Sequence, residues 1–301
     1  MHSIFLIFFG FYAKIVGMRK KIKPVVVLIF FISFIGLILF SRALAQETSK
    51  KANTTTNTTT TSVSTTESTT TTSSSEPITN SLEMKPIIDL SGWQLPSDIN
   101  YDTLSENISG AIVRVQSGSH TKKENNASDA KGIDKSYKTH IKEFQSRGIP
   151  VAVYAYVTGN SIESMEKEAE SFYKASYKYK PTFYWLDVEE KTMEDMNAGV
   201  EAFRQKLESL GAQNIGIYIG TYFMEEHSIS TENFDSVWIP TYGTDSGYYN
   251  AAPNTDLDYD LHQYTSQGHL NGFSHALDLN IITTLKEPNE IYQKLFTVPA
   301  E

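Results

Sequence analysis

Eight short apolar runs, spaced through a single stretch of chain, narrow most sharply what this sequence can fold into. They occupy positions 86–90, 111–116, 151–157, 182–188, 215–219, 237–240, 261–264 and 276–281. Each is short for a buried helix and most are rich in β-branched and aromatic residues, with breakers beside them, which is how buried strands read. Helical patterns lie between the earlier runs. Positions 134–147 carry Tyr137, Ile141 and Phe144 on one face and end at Gly148, and 162–177 and 193–210 are longer, the second stopped by Gly211. Strand–helix alternation of this kind makes βαβ units and a parallel sheet. About eight strands in about 200 residues, each feeding a loop, predict a closed α/β barrel of the TIM-like type. The connections 238–261 and 264–276 are loop-like, with Gly and Asn, so the last helices are expected to be missing and the barrel shortened and irregular. The barrel is placed at 82–290, with a small closing helix at 291–296 inside a C-terminal tail, 291–301.

The N-terminal part is of another kind. Met18-Arg19-Lys20-Lys21-Ile22-Lys23 opens like a secretory n-region, 24–40 is almost wholly apolar, and Ala43-Leu44-Ala45 supplies the small residues of a cleavage site. Residues 1–45 therefore read as a signal peptide, with Met18 as the expected true start, which mass spectrometry of the precursor would test. The competing reading keeps 24–40 as an uncleaved membrane tether, at the short limit for a span. Either way the protein is expected to be secreted or held at the cell surface. Residues 46–81 form a Thr/Ser tract with too little apolar surface to fold, a disordered linker.

Charge and cysteine content exclude several functions. Six of the 26 basic residues and none of the 35 acidic ones fall in the first 45 positions, leaving twenty against thirty-five, a net of -15. Such a body has no electrostatic reason to bind nucleic acid or an anionic membrane. With no cysteine there are no disulfides, zinc–thiolate sites or thiol nucleophiles.

The run Phe183-Tyr184-Trp185-Leu186-Asp187-Val188-Glu189-Glu190 ends in acids. Alternation along a strand turns Asp187 and Glu189 to one face, their backbones about 6.6 Å apart. Such a pair is costly at a buried strand end unless it meets water or a ligand. Glycoside hydrolysis uses one: a protonated acid for the leaving oxygen and a carboxylate at the anomeric centre. Barrel enzymes keep their working residues at the C-terminal ends of strands, and Asp89, Asp187, Glu189 and Asp278 all lie in such runs. Any one alone reads as a cap or loop anchor. Four together repel one another, and crowding raises at least one pKa. Tyr154, Tyr156, Tyr218, Trp238, Tyr242 and Tyr264 stand at strand ends too, and aromatic faces stack on sugar rings. As ordinary core residues they need no ligand, and for Tyr154 that reading is at least as strong. His262, the one histidine inside a strand-like run, reads as a core residue, and no histidine pair has metal-ligand spacing.

In order, Ile88-Asp89-Leu90-Ser91-Gly92-Trp93-Gln94, Val153-Tyr154-Ala155-Tyr156, Leu186-Asp187-Val188-Glu189, Gly216-Ile217-Tyr218, Val237-Trp238-Ile239-Pro240-Thr241-Tyr242-Gly243, His262-Gln263-Tyr264-Thr265 and Asn271-Gly272-Phe273 with Asp278-Leu279-Asn280 resemble the muramidases (lysozymes) of glycoside hydrolase family 25. The likeness covers about residues 85–285. It implies a (β/α)5(β)3 barrel that cleaves the β-1,4 bond between N-acetylmuramic acid and N-acetylglucosamine in peptidoglycan. It also implies Glu189 as general acid, with Asp187 and Asp89 handling the anomeric centre, the water or the acetamido group, and Asp278 completing the acidic floor. Tyr154, Tyr156, Tyr218, Trp238, Tyr242 and Gln263 are expected to bind the glycan, without metal or cofactor, in a monomer. The departures are His262, where the family commonly has Trp, and Ala155, where His is frequent. Two rivals remain. A non-catalytic glycan-binding barrel would not need all four acids, and a metal-dependent deacetylase would need clustered histidines.

Overall fold

The computed structural model describes residues 80–118 and 124–299. The expected signal or tether and nearly all of the expected linker lie outside the described residues. Eight strands close into one barrel in chain order: β1 (Ile87–Leu90), β2 (Gly110–Gln116), β3 (Val151–Tyr156), β4 (Tyr184–Val188), β5 (Ile215–Ile219), β6 (Ser236–Pro240), β7 (Leu261–Gly268) and β8 (Leu277–Ile282). Neighbours from β1 to β7 are parallel, and β8 runs antiparallel to both β7 and β1. A helix follows each of the first five strands: α1 (Tyr101–Ser105), α2 (Tyr137–Ser146), α3 (Ile162–Ser176), α4 (Met196–Ser209) and α5 (Thr221–Glu226). Strands β6, β7 and β8 are joined without helices, and α6 (Pro288–Phe296) comes last. The five-plus-three pattern implied by the resemblance is the one observed.

Local chemistry sets the helix ends. The side chains of Asn100, Ser161 and Asp195 accept from backbone N–H groups inside the first turns of α1, α3 and α4. Gly148 and Gly211, past α2 and α4, take φ of +75° and +96°, which other residues adopt only with strain. The long helices bury one stripe each, Tyr137, His140, Ile141 and Phe144 in α2, and Met196, Gly199, Val200, Phe203 and Leu207 in α4.

Strand alternation divides the core in two. Outward residues such as Ile88, Val113, Val153, Leu186 and Ile217 pack against the helices. Inward residues, among them Ile87, Ile112, Tyr154, Phe183, Trp185, Tyr218 and Trp238, fill the barrel. Gly216 faces Trp185, where a Cβ would lie 2.4 Å from the indole, so the glycine makes the ring's space. Ile291, Leu295 and Phe296 of α6 join this inner cluster and close the end where the parallel strands begin.

Three expectations differ in detail. Helices α1 and α5 were not anticipated, and β7 continues four residues beyond Tyr264. Helix α6 starts at Pro288, so the boundary drawn at 290/291 falls inside a helix packed on the barrel. Among the described residues no helix is long and apolar enough to cross a membrane.

Candidate active site

A cavity of about 200 Å³ opens at the end of the barrel where the parallel strands finish. Its wall contains every one of the ten residues expected from the sequence: Asp89, Tyr154, Tyr156, Asp187, Glu189, Tyr218, Trp238, Tyr242, Gln263 and Asp278. The eleventh lining residue, Arg114, was not anticipated. Asp89 and Asp187 sit in β1 and β4, both under 10% exposed, while Glu189 lies one residue past β4 and is open to solvent.

Asp278 reaches the same place by another route. It is the second residue of an antiparallel strand, not the end of a parallel one, and it pairs directly with Asp89 in the β1–β8 ladder. Tyr264 departs from its expected place: alternation in β7 turns Gln263 inward and Tyr264 outward, against Tyr249 and His262. His262 is itself buried on that outer side, its Nε2 donating to the Thr241 carbonyl at 2.8 Å. Tyr154 and Trp238 are 8% and 2% exposed and form the cavity floor, whereas Tyr156 and Tyr242 keep accessible surface for stacking.

Hydrogen bonds order the interior. Gln263 Nε2 and Asn280 Nδ2 each donate to Asp89 Oδ2 at 2.8 Å. The oxygens of those amides are held in turn: Gln263 Oε1 accepts from Tyr218 and Tyr242 hydroxyls at 2.8 and 2.5 Å, and Asn280 Oδ1 accepts from Trp238 Nε1 at 2.8 Å. Gln263 was expected to bind substrate, yet both ends of its amide are engaged inside the protein. Arg114 is held through Nε by Asp134 Oδ2 at 3.2 Å, and Asp134 also accepts from the Gly92 and Ser136 amides.

Burial dominates the acidities. It raises Asp89 to about 6, against the hydrogen bonds of Asn280 and Gln263, with the Glu189 charge adding to the rise. Burial, then the charges of Asp89, Asp245 and Glu189, raise Asp278 to about 8. Asp187 is pushed well above the carboxylate range by burial, then by the Glu189 charge and a hydrogen bond to Glu189, with Arg114 opposing. One oxygen of Asp187, Oδ1, is buried without a hydrogen-bond partner, which a neutral carboxyl tolerates far better than an anion. Burial thus favours the neutral form of Asp187 and Asp278, and Asp89, at about 6, ionises more readily than Asp278, at about 8. The arrangement can hold a proton on Asp187 close to the open edge while keeping a carboxylate inside at Asp89.

Arg114 and Asn280 left faint marks in the sequence. Arg114 is the one charged residue in its apolar run, and Asn280 lies two positions beyond Asp278, so strand alternation turns it to the same face.

The profile of Glycosyl hydrolases family 25 matches residues 88–273. The solved structure of GHIP, a glycosyl hydrolase 25 of Streptococcus pneumoniae described as a virulence factor, shares 63% identity at a TM-score of 0.70, over 73% of this chain and 95% of that one. The catalytic domain of endolysin ply40 from bacteriophage P40 of Listeria monocytogenes shares 26% at a TM-score of 0.60, over 70% and 97%. A curated relative, the autolytic lysozyme of Clostridium acetobutylicum, is 27% identical over 154 residues, 49% of this chain and 44% of that protein. The chain thus spans less than half the length of that relative. With a matching profile that spans more than half of its residues, laid over the strands that carry the acids, the chain belongs to glycosyl hydrolases family 25.

Proposed function

We propose that the barrel is a muramidase, hydrolysing the β-1,4 bond between N-acetylmuramic acid and N-acetylglucosamine, with Glu189 as general acid. The observation that carries this reading is the placement of buried Asp187 and solvent-open Glu189 on one wall of a cavity that also holds Asp89 and Asp278. Glu189, at the edge, hands the proton to the leaving oxygen. Asp89 meets the positive charge that develops at the anomeric carbon, directly or by turning a water or the substrate's acetamido group toward it. Asp187 works beside Asp89 at the anomeric centre, and Asp278 fixes the acidic floor. Water takes the place of the leaving oxygen and gives up a proton that replaces the one Glu189 delivered. Tyr156 and Tyr242 offer ring faces to the sugars. The names of two relatives, an autolytic lysozyme and an endolysin, support the reaction class. Export by residues 1–45 and action as a monomer belong to the same proposal.

Digestion of purified peptidoglycan, with released ends read by borohydride reduction and mass spectrometry, tests it. New muramic-acid reducing ends are expected, and glucosamine ends would move the scissile bond. Intact glycan with protein bound would replace the enzyme by a binding barrel. Glu189→Gln should lower turnover at least about a hundredfold, the usual contribution of a general acid, and leave wall binding intact. A rate above about a tenth of wild type would remove Glu189 from that role.

A further inference from the structure

Polarity in the hydrogen-bond chain beneath the acids is fixed by its first member. An indole N–H can only donate. Trp238 Nε1 therefore commits the oxygen of Asn280 as its acceptor, at 2.8 Å, and turns the Asn280 amide nitrogen toward Asp89 Oδ2 and the Ile87 carbonyl, at 2.8 and 3.2 Å. Gln263 brings a second N–H to the same Asp89 oxygen. Asp89 Oδ2 thus faces donors on two sides, an arrangement suited to an anion. All members are buried: Trp238 2%, Asn280 0%, Gln263 4% and Asp89 4% exposed.

From this geometry we infer that Asn280 is a positioning residue for the reaction: oriented by Trp238, it holds Asp89 by one oxygen and keeps it the anionic member of the acid cluster. Asn280 does not line the cavity, so it acts through Asp89. The inference deepens the proposed hydrolase, since it names which carboxylate is charged when substrate arrives, and it rests on that reading for its effect on rate. The other titratable and charged groups lining the cavity around Asp89 are Asp278 from β8, Asp187 from β4 and Glu189 just past it, Tyr154 and Tyr156 from β3, Arg114 from β2, Tyr218 from β5, and Tyr242 after β6. Among them only Arg114 is cationic, and it is tied back to Asp134. The amide donors therefore carry much of the task of holding a negative charge on Asp89 against three further carboxyls.

The test is Asn280→Leu in the full chain, read in two ways. The first is a carbon-13 titration of the Asp89 carboxyl, which needs no turnover. Loss of the donor should move the Asp89 midpoint upward by about one unit, a tenfold change in its proton affinity. The second is the pH profile of kcat/KM on peptidoglycan, whose acid limb should move by the same amount, so that raising the pH restores part of the lost rate. Trp238→Phe, which frees the amide to turn without removing it, should shift the midpoint in the same direction by less, and it keeps the inference testable where Asn280→Leu does not fold. A folded Asn280→Leu protein with an unmoved Asp89 midpoint overturns the inference, as does a uniform loss of rate with an unmoved acid limb. If wild type cleaves no glycan the hydrolase reading fails by itself, and the titration still decides the role of Asn280.

Discussion

Asp278 faces Asp89 across the β1–β8 ladder, and burial of its carboxyl, reinforced by the charge of Asp89, has a thermodynamic signature. Its carboxyl ionises from an ordinary value of 3.8 in the unfolded chain and near 8 in the fold. Between those values the folded protein keeps a proton that the unfolded chain has lost. The stability contributed by the neutral form is present at low pH and is lost as the pH rises through the window. Asp278→Asn, uncharged throughout, should therefore raise Tm at pH 8 by several degrees, at about 2–4 °C per kcal/mol for a domain of this size, and change it little at pH 4. Thermal melts at the two pH values check this, and an equal gain at both would assign the effect to packing instead. The acids were legible in the sequence because charge at the end of an apolar run is conspicuous. Arg114 and Asn280 were not, since a single polar residue inside a strand looks the same whether it turns to the cavity or is merely tolerated. The reversed direction of β8 was hidden as well, because register depends on a partner strand that local sequence does not name.

At the scale of elements, α6 closes the barrel below the acids. Buried Asp260, just before β7, pins it, accepting from Lys286 and Lys294 at 2.5 and 2.6 Å. Phe296 packs so closely that a Cβ on Gly110 would lie 2.8 Å from its ring. Phe296→Ala should cost about 3–5 kcal/mol, the usual range for losing a buried phenyl ring, while leaving KM unchanged because α6 lies away from the cavity. Denaturant unfolding and steady-state kinetics measure the two, and a raised KM with unchanged stability would refute this role for α6. The long helices were readable from their apolar period and their glycine stops. Helices α1 and α5, at five and six residues, span too few turns for a period to register. The extension of β7 through Thr265-Ser266-Gln267 was masked by its polarity. Thr265 and Ser266 are polar because they hold Asp245 of the β6–β7 loop, with three bonds at 2.8 Å.

For the molecule as a whole, closure of the barrel was legible because eight strands with helices between the early ones leave few alternatives. The cavity's depth was not, since it follows from how large inward side chains stack across strands distant in sequence. The chain beyond residue 45 carries a net charge of -15, which opposes approach to an anionic wall. Initial rates on intact walls should therefore rise as salt goes from roughly 10 mM to roughly 150 mM and the screening length falls from about 30 Å to about 8 Å. Rates that decline steadily over that range would show that attraction, not repulsion, governs the encounter. Beneath the acids the described barrel is packed with Phe183, Trp185, Trp238 and the apolar face of α6. That packing makes the cavity a well closed at its base. For the proposed hydrolase the consequence is that a polymer is laid across the well instead of threaded through it, so a bond in the middle of a long strand should meet Glu189 on the same terms as one near its end.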